Sequence, residues 1–392
     1  MLMVDHRALS AKRAADAKIE RALLAELDQM WELIKGWDRL ALDNALVELL
    51  PGLVDKYGAA YAEVAAQWFE TLIGQDAILG ESFQVAQIQR SVRWALKPYF
   101  EGAALDAVKG QVAASLVRHA MQAGRDTIDA SVRATKGVLY ARVLSGLETC
   151  DFCTILASRG PVYGTARDAG GVGNRYHDRC DCQAVPVRGR WVPDRSSPRG
   201  VRWVGEDPGY DFEGLYLKEY KPYWRDGLSL KQVVERRVDT RASEPWGGVT
   251  WLEDLRDSKV KPPAWWDNET RQKTLIGHAS PTKPGRWNGG HGYGRNVQGK
   301  TEFPERWTDD DIDLILAETW QNPTAVRNEG DRRRVRRVID GVLVEVSAYG
   351  FGYKDFRAYF TVGGRGVFYN ESDGSRLQKR IPKDTKKWEV LR

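Results

Sequence analysis

The sequence predicts a multidomain protein: an α-helical N-terminal domain with a small cysteine-rich, metal-binding part, followed by a C-terminal α+β domain. Apolar residues return every three or four positions through most of the first 145 residues, which is typical of amphipathic helices. All four cysteines lie between Cys150 and Cys182. Beyond residue 300, one helix signal precedes runs of alternating apolar and polar residues, which indicate an antiparallel β-meander. At 392 residues the chain is long enough for two or three such domains.

Composition restricts the partners that we expect. Hydrophobic residues make up 42% and charged residues 29%, as in ordinary globular proteins. Because the chain has no run of eighteen apolar residues, we expect no transmembrane helix and no membrane partner, and its start lacks the apolar core of a secretory signal. Residues 266–392 hold 23 Lys and Arg against 18 Asp and Glu and so carry the whole formal net charge of +5. This excess suits an anionic partner such as nucleic acid, although a solvated surface explains it at least as well.

The helical N-terminal domain is assigned to residues 1–145. Long segments rich in Ala, Leu, Glu and Lys carry the helical periodicity, and such residues favour helices. Breaks between helices are expected where proline or glycine interrupts the pattern, at Pro51, Gly74, Pro98 and Gly110.

The four cysteines form a metal-site pattern. Cys150 and Cys153 make a CxxC pair, and Cys180 and Cys182 make a CxC pair, with His177 three residues before Cys180. Two thiolates from each of two tight turns suit the tetrahedral coordination of zinc, and His177 could replace one cysteine. Four sulfur ligands leave no open position, which favours a structural over a catalytic zinc. The alternative is four ordinary buried or redox-active thiols, and a disulfide framework is not expected without a secretory signal.

A family resemblance rests on these motifs. A helical region that ends in CDFCTIL and is followed by YHDRCDC resembles the MuF-like minor head proteins, the relatives of protein F of phage Mu, over roughly residues 30–190. The resemblance implies a minor component of a tailed-phage head, inside the capsid near the portal, with capsid and portal proteins as partners. Residues 146–190 would be the zinc-binding part of this domain.

Residues 191–265 are interpreted as a connector. The segment is rich in Pro, Gly, Arg and aromatic residues and contains short strand-like pieces and one helical piece, SLKQVVERRVDTRAS. Because Pro262 and Pro263 cannot continue a helix, we place the border of the C-terminal domain near residue 265 and assign residues 266–392 to that domain.

Helix and strand signals follow each other in the C-terminal domain. Thr308 is a good N-cap, the three aspartates that follow it favour the start of a helix, and Pro323 closes that helix. Strands are predicted in RRRVRRVIDGVLVEVSAYG, DFRAYFTVGG and GVFYNES. The expected fold is therefore a helix followed by a β-meander.

Two of the five histidines, His278 and His291, fall in one glycine-rich loop before that helix. A ribose 2′-OH that attacks its own phosphodiester needs a base at the 2′-OH and an acid at the leaving 5′-oxygen, and histidine performs either task near neutral pH. Such a site needs no metal and cleaves RNA but not DNA, which lacks the nucleophile. Trp287, Tyr293 and Arg295 could stack on or contact the nucleotide. The alternatives are polar surface histidines or metal ligands, although the nearby acidic residues have no recognisable ligand spacing.

A second resemblance covers about residues 270–370. The segments GGH and GKTEFPERW, a helix that ends in NP, and a DGV-x-V-x-V strand resemble the bacterial EndoU ribonuclease family. The resemblance implies a metal-independent endoribonuclease that leaves 2′,3′-cyclic phosphate ends, often as the C-terminal toxin domain of a polymorphic toxin with a cognate immunity protein. MuF-like proteins are among the known carriers of such domains, so both resemblances fit one chain.

The EndoU resemblance assigns the two histidines individually. His291 matches the second histidine of the family, in GGH. The family's first histidine precedes two apolar residues and a glycine, but here KTLIG places Lys273 or Thr274 at that point, and His278 follows the glycine. We therefore assign His278 as general base and His291 as general acid, with the two roles exchangeable.

The late segment FRAYF resembles the family's segment of an apolar residue, Thr, Ala, Tyr and Pro. Tyr359 matches the tyrosine and would bind or orient the phosphate, while Arg357 replaces the threonine. Arg357 or the nearby Lys354 would stabilise the charge of the phosphorane. The alternative for Tyr359 is a packed strand aromatic.

The two resemblances together predict a phage minor head protein that carries a metal-independent endoribonuclease toxin. It would reside inside the capsid of the virion, and in the host cytoplasm during assembly or after ejection with the DNA. The alternative is a purely structural virion protein whose C-terminal domain binds nucleic acid or capsid without cleaving. A head protease finds little support, because no Ser/His/Asp or Cys/His arrangement stands out.

Overall fold

The chain divides into two compact units, Met1–Val233 and Val234–Arg392. A computed structural model describes residues 6–80, 84–144, 150–164, 182–258, 260–263, 266–280, 287–349 and 355–391. The fold class is confirmed in its two main parts, since the first unit is largely helical and the second is built on a mainly antiparallel sheet.

Four long helices dominate the first unit: α1 His6–Ile34, α2 Arg39–Ile73, α3 Val85–Phe100 and α4 Leu105–Ala134. Helix α2 packs against the other three. Its residues Leu42, Leu46 and Leu50 meet Trp31 of α1 and Val112 of α4 in an apolar core, where all five side chains are buried. The helical periodicity of the sequence therefore reflects faces that bury against each other.

The predicted helix breaks are partly wrong. Helix α2 does end at Gly74, which has the left-handed φ of 67° that favours glycine. However, Pro51 lies inside α2, and Pro98 and Gly110 lie inside α3 and α4. Proline removes one backbone N–H from a helix. The Nε2 of Gln89 donates to the Val47 carbonyl at 3.3 Å, which is the carbonyl that the missing N–H of Pro51 would have reached.

The first unit also contains a small sheet. Its further elements are β1 Val138–Val143, α5 Asp151–Ser158, β2 Gln183–Pro193, β3 Val201–Gly205 and α6 Phe212–Glu219, and α7 Leu230–Ser243 crosses the border between the units. Strands β1, β2 and β3 pair antiparallel in that order. The helical assignment to residue 145 is therefore wrong over β1. Its valines and Tyr140 prefer a pleated sheet and bury against β2 and α4.

The second unit is an α+β fold. Its elements are a short 3₁₀ helix Glu244–Trp246, β4 Val249–Thr250, α8 Leu252–Arg256, α9 Asn268–Leu275, β5 His278–Ala279, β6 Trp287–Asn288, α10 Asp309–Gln321, β7 Ala325–Glu329, β8 Arg332–Ile339, β9 Val342–Tyr349, β10 Asp355–Gly364, β11 Phe368–Asn370, β12 Arg376–Gln378 and β13 Glu389–Val390. The sheet order is β10-β9-β8-β7-β13, and β4 joins β8 in parallel. Strands β7 to β10 are sequential antiparallel neighbours, which confirms the predicted meander.

Helix α10 packs on β8 and β9 and closes the core of the second unit. It begins with the predicted N-cap, because the Thr308 hydroxyl accepts from the N–H of Asp311 at 3.1 Å, and the Asp311 carboxylate accepts from the N–H of Thr308 at 3.0 Å. Two short ribbons, β5–β6 and β11–β12, lie outside the main sheet. None of the helices that the structure describes is long and apolar enough to cross a membrane.

Candidate active site and cysteine cluster

One pocket of the second unit brings three of the sequence-predicted site residues together. His278, His291 and Tyr359 all line a cavity of about 860 Å³. They come from the β5–β6 ribbon, from the loop before α10 and from β10. His278 and Tyr359, which lie far apart in the chain, therefore line one pocket, as residues of an active site do.

The backbone on both sides of His291 is anchored. Its N–H donates to the Thr274 carbonyl at 2.8 Å, and its own carbonyl accepts from the N–H of Phe303 at 2.7 Å. His291 is 8% exposed, and its imidazole lies nearly parallel to the ring of Phe360, at 6.1 Å between centroids. Its Nδ1 lies 2.6 Å from the carbonyl oxygen of Thr301.

These contacts determine the protonation state of His291. A carbonyl oxygen can only accept, so Nδ1 carries the proton and Nε2 holds the lone pair in the neutral ring. Burial lowers the pKa of His291 from the usual 6.5 to about 4, although the hydrogen bond to Thr301 opposes this shift. Near neutral pH the residue is therefore a neutral imidazole whose Nε2 can accept a proton.

Acid should destabilise the second unit through His291. Its pKa is about 4 in the folded protein, whereas an unfolded histidine titrates near 6.5. The unfolded state therefore takes up the proton first as the pH falls. The contribution of His291 to the free energy of unfolding is fully present above pH 6.5 and is lost as the pH falls through about 4. The total loss is about 3 kcal/mol. Denaturant titrations of wild type and His291→Gln at pH 7.5 and 4.5 check this. Between pH 7.5 and 4.5 the free energy of unfolding should decrease less in the variant than in wild type. An equal decrease in both proteins would contradict the prediction.

His278 reaches the pocket from a two-residue strand. It pairs with Asn288 across the β5–β6 ribbon, and both residues line the pocket. Its Nδ1 is buried without a hydrogen-bond partner in the part of the chain that the structure describes. Nε2 is thus the ring nitrogen that can exchange a proton with a molecule in the pocket.

Lys273 also lines the pocket and pairs with Glu269 one turn earlier on α9. It stands where the EndoU resemblance places a histidine. Thr274, the other residue at that point, is 7% exposed, and its carbonyl anchors His291. The pocket therefore holds a cation and a structural threonine where the resemblance implies a base.

Tyr359 is a buried member of the pocket wall. It is 3% exposed and meets Trp266 edge to face, at 4.6 Å between centroids. Burial and the charge of Asp267 raise the pKa of Tyr359, so the residue stays a neutral phenol at all ordinary pH values. Lys354 and the side chain of Arg357 lie outside the residues that the structure describes.

Lys300 lines the same pocket and was not among the residues singled out from the sequence. A sequence signal for Lys300 exists, because Lys300 is the lysine of GKTEFPERW, the most specific segment of the EndoU resemblance. Its neighbour Thr301 supplies the carbonyl that orients His291. One short segment thus provides both a cation and the orientation of a histidine.

Glu302, the acid of that segment, is fully buried and holds the surrounding loops together. Its carboxylate accepts from the N–H groups of Gly294 at 3.1 Å and Asn296 at 2.5 Å. It also accepts from the side chains of Asn370 at 3.1 Å and Arg376 at 2.6 Å. Glu302 therefore fixes the loop that follows His291 to the β11–β12 ribbon.

The aromatic and cationic residues suggested as nucleotide contacts lie around the pocket rather than in it. Trp287 is 45% exposed, and its indole N–H donates to the Ile276 carbonyl at 3.4 Å. Tyr293 and Arg295 line a second cavity of about 540 Å³, on the other face of α9.

In the first unit, three of the four cysteines lie close together. Cys150 is the N-cap of α5, and its Sγ accepts from the N–H of Cys153 at 3.3 Å. The Sγ atoms of Cys153 and Cys182 are 3.8 Å apart, and both side chains are buried. Arg142 is fully buried and donates from a guanidinium nitrogen to the Sγ of Cys182 at 2.7 Å, which favours a thiolate there.

This geometry can be compared with a zinc site. Two thiolates that bind one zinc at about 2.3 Å in a tetrahedron lie about 3.8 Å apart, so the pair Cys153 and Cys182 fits. No group of three or more metal-ligating side chains occurs among the residues that the structure describes. Cys180 and His177, which would complete the set, lie outside those residues.

Comparison with known proteins identifies a family for the first unit. No curated protein and no solved structure matches the chain. The model of the family described as VG15 protein matches residues 3–216, which is more than half of the chain and includes the four helices and the cysteine cluster. The chain therefore belongs to the VG15 protein family, a phage-associated family of virion genes.

Proposed function

We propose that this phage protein is a minor head protein whose second unit is a metal-independent endoribonuclease of the EndoU type. One observation carries the proposal: a single pocket is lined by His278, His291 and Lys300, and the Thr301 carbonyl leaves Nε2 of His291 ready to accept a proton. These residues offer an acid, a base and a cation, the three groups that cleavage of RNA by its own 2′-OH needs.

The structure favours the exchanged assignment of the two histidines. His291 is neutral near pH 7 because burial lowers its pKa, so its Nε2 takes the proton of the 2′-OH. His278 gives a proton from Nε2 to the leaving 5′-oxygen. The 2′-oxygen forms a bond to phosphorus as the bond to the 5′-oxygen breaks. The products are a 2′,3′-cyclic phosphate and a 5′-hydroxyl. His291 has gained one proton and His278 has lost one, so the protons balance.

Charge builds up on the phosphorane during this step. Lys300 and Lys273 both line the pocket, and Tyr359 forms part of its wall. A cation that is aimed at developing charge in a partly dry site stabilises the transition state more than the ground state. Lys300 thus takes the part that the sequence assigned to Lys354 or Arg357.

The enzyme is tested with the full chain and a labelled single-stranded RNA in EDTA. We expect cleavage that leaves 2′,3′-cyclic phosphate ends, no cleavage of the same strand with 2′-deoxyribose throughout, and a loss of roughly 10²- to 10³-fold in Lys300→Ala. Lys386→Ala, an exposed lysine outside the pocket, serves as the matched control. Cleavage of the deoxy strand, or dependence on an added metal, would exclude this mechanism.

A structural virion protein is the second candidate. It is favoured by Lys273, which stands in place of the expected histidine and is paired with Glu269. In that case the folded chain binds RNA or capsid protein without cleaving RNA. A wild-type protein that binds RNA but yields no product over many hours would establish this second function.

For the first unit we propose the role of a minor component inside the virion head, in contact with capsid and portal proteins. The VG15 family membership and the helical fold support this role. The nuclease would be present in the host cytoplasm during assembly or after ejection with the DNA, and a cognate immunity protein would then be its partner.

We also propose that zinc holds the cysteine region, with ligands from Cys150, Cys153 and Cys182 and from Cys180 or His177. When bound, the metal would crosslink α5 to the start of β2, and Arg142 would stabilise the Cys182 thiolate. This is structural chemistry with no catalytic step.

Metal analysis of the purified chain checks the zinc site. We expect about one zinc per chain, and we expect Cys153→Ser to lose the metal and lower the melting temperature of the first unit by at least about 5 °C. Thr154→Ser, a buried change on the same helix, should keep both. A zinc-free wild type with a Cys153–Cys182 disulfide would overturn the proposal in favour of oxidised thiols.

A further inference from the structure

Asn288 and Tyr369 are two of the pocket-lining residues whose side chains have no part in the acid–base chemistry. Each is joined by backbone pairing to a segment that serves one of the histidines. Asn288 pairs with His278 across the β5–β6 ribbon. Tyr369 forms an isolated antiparallel bridge with Thr301, whose carbonyl orients His291. The two side chains are therefore held in register with the two proton-transfer groups.

Asn288 has a side chain that is free to recognise a ligand. Its amide makes no hydrogen bond to any residue that the structure describes, and neither of its polar atoms is shut off from solvent. An amide offers one donor group and one acceptor, so it can match the edge of a nucleobase that presents the opposite pair. A phosphate, which only accepts hydrogen bonds, would pair with the donor group of the amide and leave its acceptor unused.

Tyr369 offers an aromatic surface in the same pocket. The ring is half-buried, and the ammonium group of Lys379 lies 4.7 Å from its centroid. This cation–π contact holds the ring and places a positive charge beside it. Bases stack readily on such a ring, and a neighbouring cation also attracts the phosphate backbone.

We propose that Asn288 and Tyr369 form a nucleobase subsite, in which Tyr369 stacks on a base next to the cleaved phosphate and the Asn288 amide hydrogen-bonds its edge. The proposal rests on the proposed ribonuclease function for its substrate. It assigns affinity to Tyr369 and base preference to Asn288, because stacking tolerates every base whereas an amide discriminates between edges.

Tyr369 is tested by binding, which is independent of cleavage. The probe is a single-stranded 2′-fluoro oligonucleotide with one 2-aminopurine, which has no 2′-OH to attack and loses fluorescence when its base stacks. Wild type should quench the probe, Tyr369→Phe should bind equally well, and Tyr369→Leu should bind roughly 5- to 150-fold more weakly. Tyr349→Ala is the matched control, since Tyr349 is also half-buried under a cation, Arg332 at 4.9 Å, but lies outside the pocket. Equal binding by Tyr369→Leu and wild type would overturn the stacking role.

Asn288 is tested by the base preference of cleavage. A pool of single-stranded RNAs with all four bases at each position is digested with the full chain, and the product ends are sequenced. Asn288→Ala should flatten the preference, and Asn288→Asp, which loses the donor, should shift it. The exposed Asn328→Ala should leave it unchanged. An unaltered preference in Asn288→Ala would overturn the role in base recognition. A wild type that quenches the probe but cleaves no RNA would contradict the ribonuclease while leaving the subsite in place.

Discussion

Replacing His291 with glutamine should reduce the rate of RNA cleavage by roughly 10²- to 10⁴-fold, which is the usual contribution of a positioned general base. Glutamine has a similar reach and can keep the hydrogen bond to the Thr301 carbonyl through its amide, but it cannot accept the proton of the 2′-OH. Because the ground-state contacts survive, we expect the loss in kcat and little change in KM. Initial rates of cleavage over a range of concentrations of one labelled RNA measure both quantities.

The control for this prediction is His119→Gln. His119 is also a buried histidine, with its Nε2 2.9 Å from the hydroxyl of Ser91, but it lies in the first unit. His119→Gln should cleave RNA at the wild-type rate, while His278→Gln should lose activity as His291→Gln does. Cleavage by a folded His291→Gln at more than a tenth of the wild-type rate would rule out His291 as the base.

Replacing Glu302 with alanine should destabilise the second unit by about 3–5 kcal/mol, a large share of the stability of an ordinary domain. The fully buried carboxylate accepts hydrogen bonds from two backbone N–H groups and from the side chains of Asn370 and Arg376. Alanine would leave these donors without their acceptor, and a donor that stays buried without a partner, such as the Asn370 amide, costs about 1–3 kcal/mol. Arg376 keeps part of its hydration because it is about one third exposed, which limits the total. Urea titration of the full chain, followed by tryptophan fluorescence, measures the change.

Two variants frame the result for Glu302. Glu302→Gln retains one oxygen acceptor without the charge and should fall between wild type and Glu302→Ala. Glu305→Ala removes an exposed carboxylate from the same segment and should change the free energy of unfolding by less than about 0.5 kcal/mol. If Glu302→Ala and Glu305→Ala had equal stabilities, the network around Glu302 would not support the loop after His291.

The local sequence pattern predicted those elements that are determined by interactions between residues close together in the chain. The alternation in VLVEVSAY predicts a strand, and β9 is one. Thr308 and the aspartates after it predict the start of α10. The prediction fails where a distant residue replaces a missing local interaction, as when Gln89 donates to the carbonyl that Pro51 leaves without its helical N–H. It also fails at Val138–Val143, which became a strand by pairing with β2.

For the candidate site, the sequence by itself determined which residue types are available: two histidines in one glycine-rich loop, a late tyrosine and four clustered cysteines. Only the tertiary structure decided which of them lie together. The proposed role of His291 as base depends on burial and on the Thr301 carbonyl, and the proposed role of Lys300 depends on its place in the pocket wall. Proton affinity and reach are set by contacts between segments that lie far apart in the chain. Residue type and spacing in the sequence do not predict those contacts.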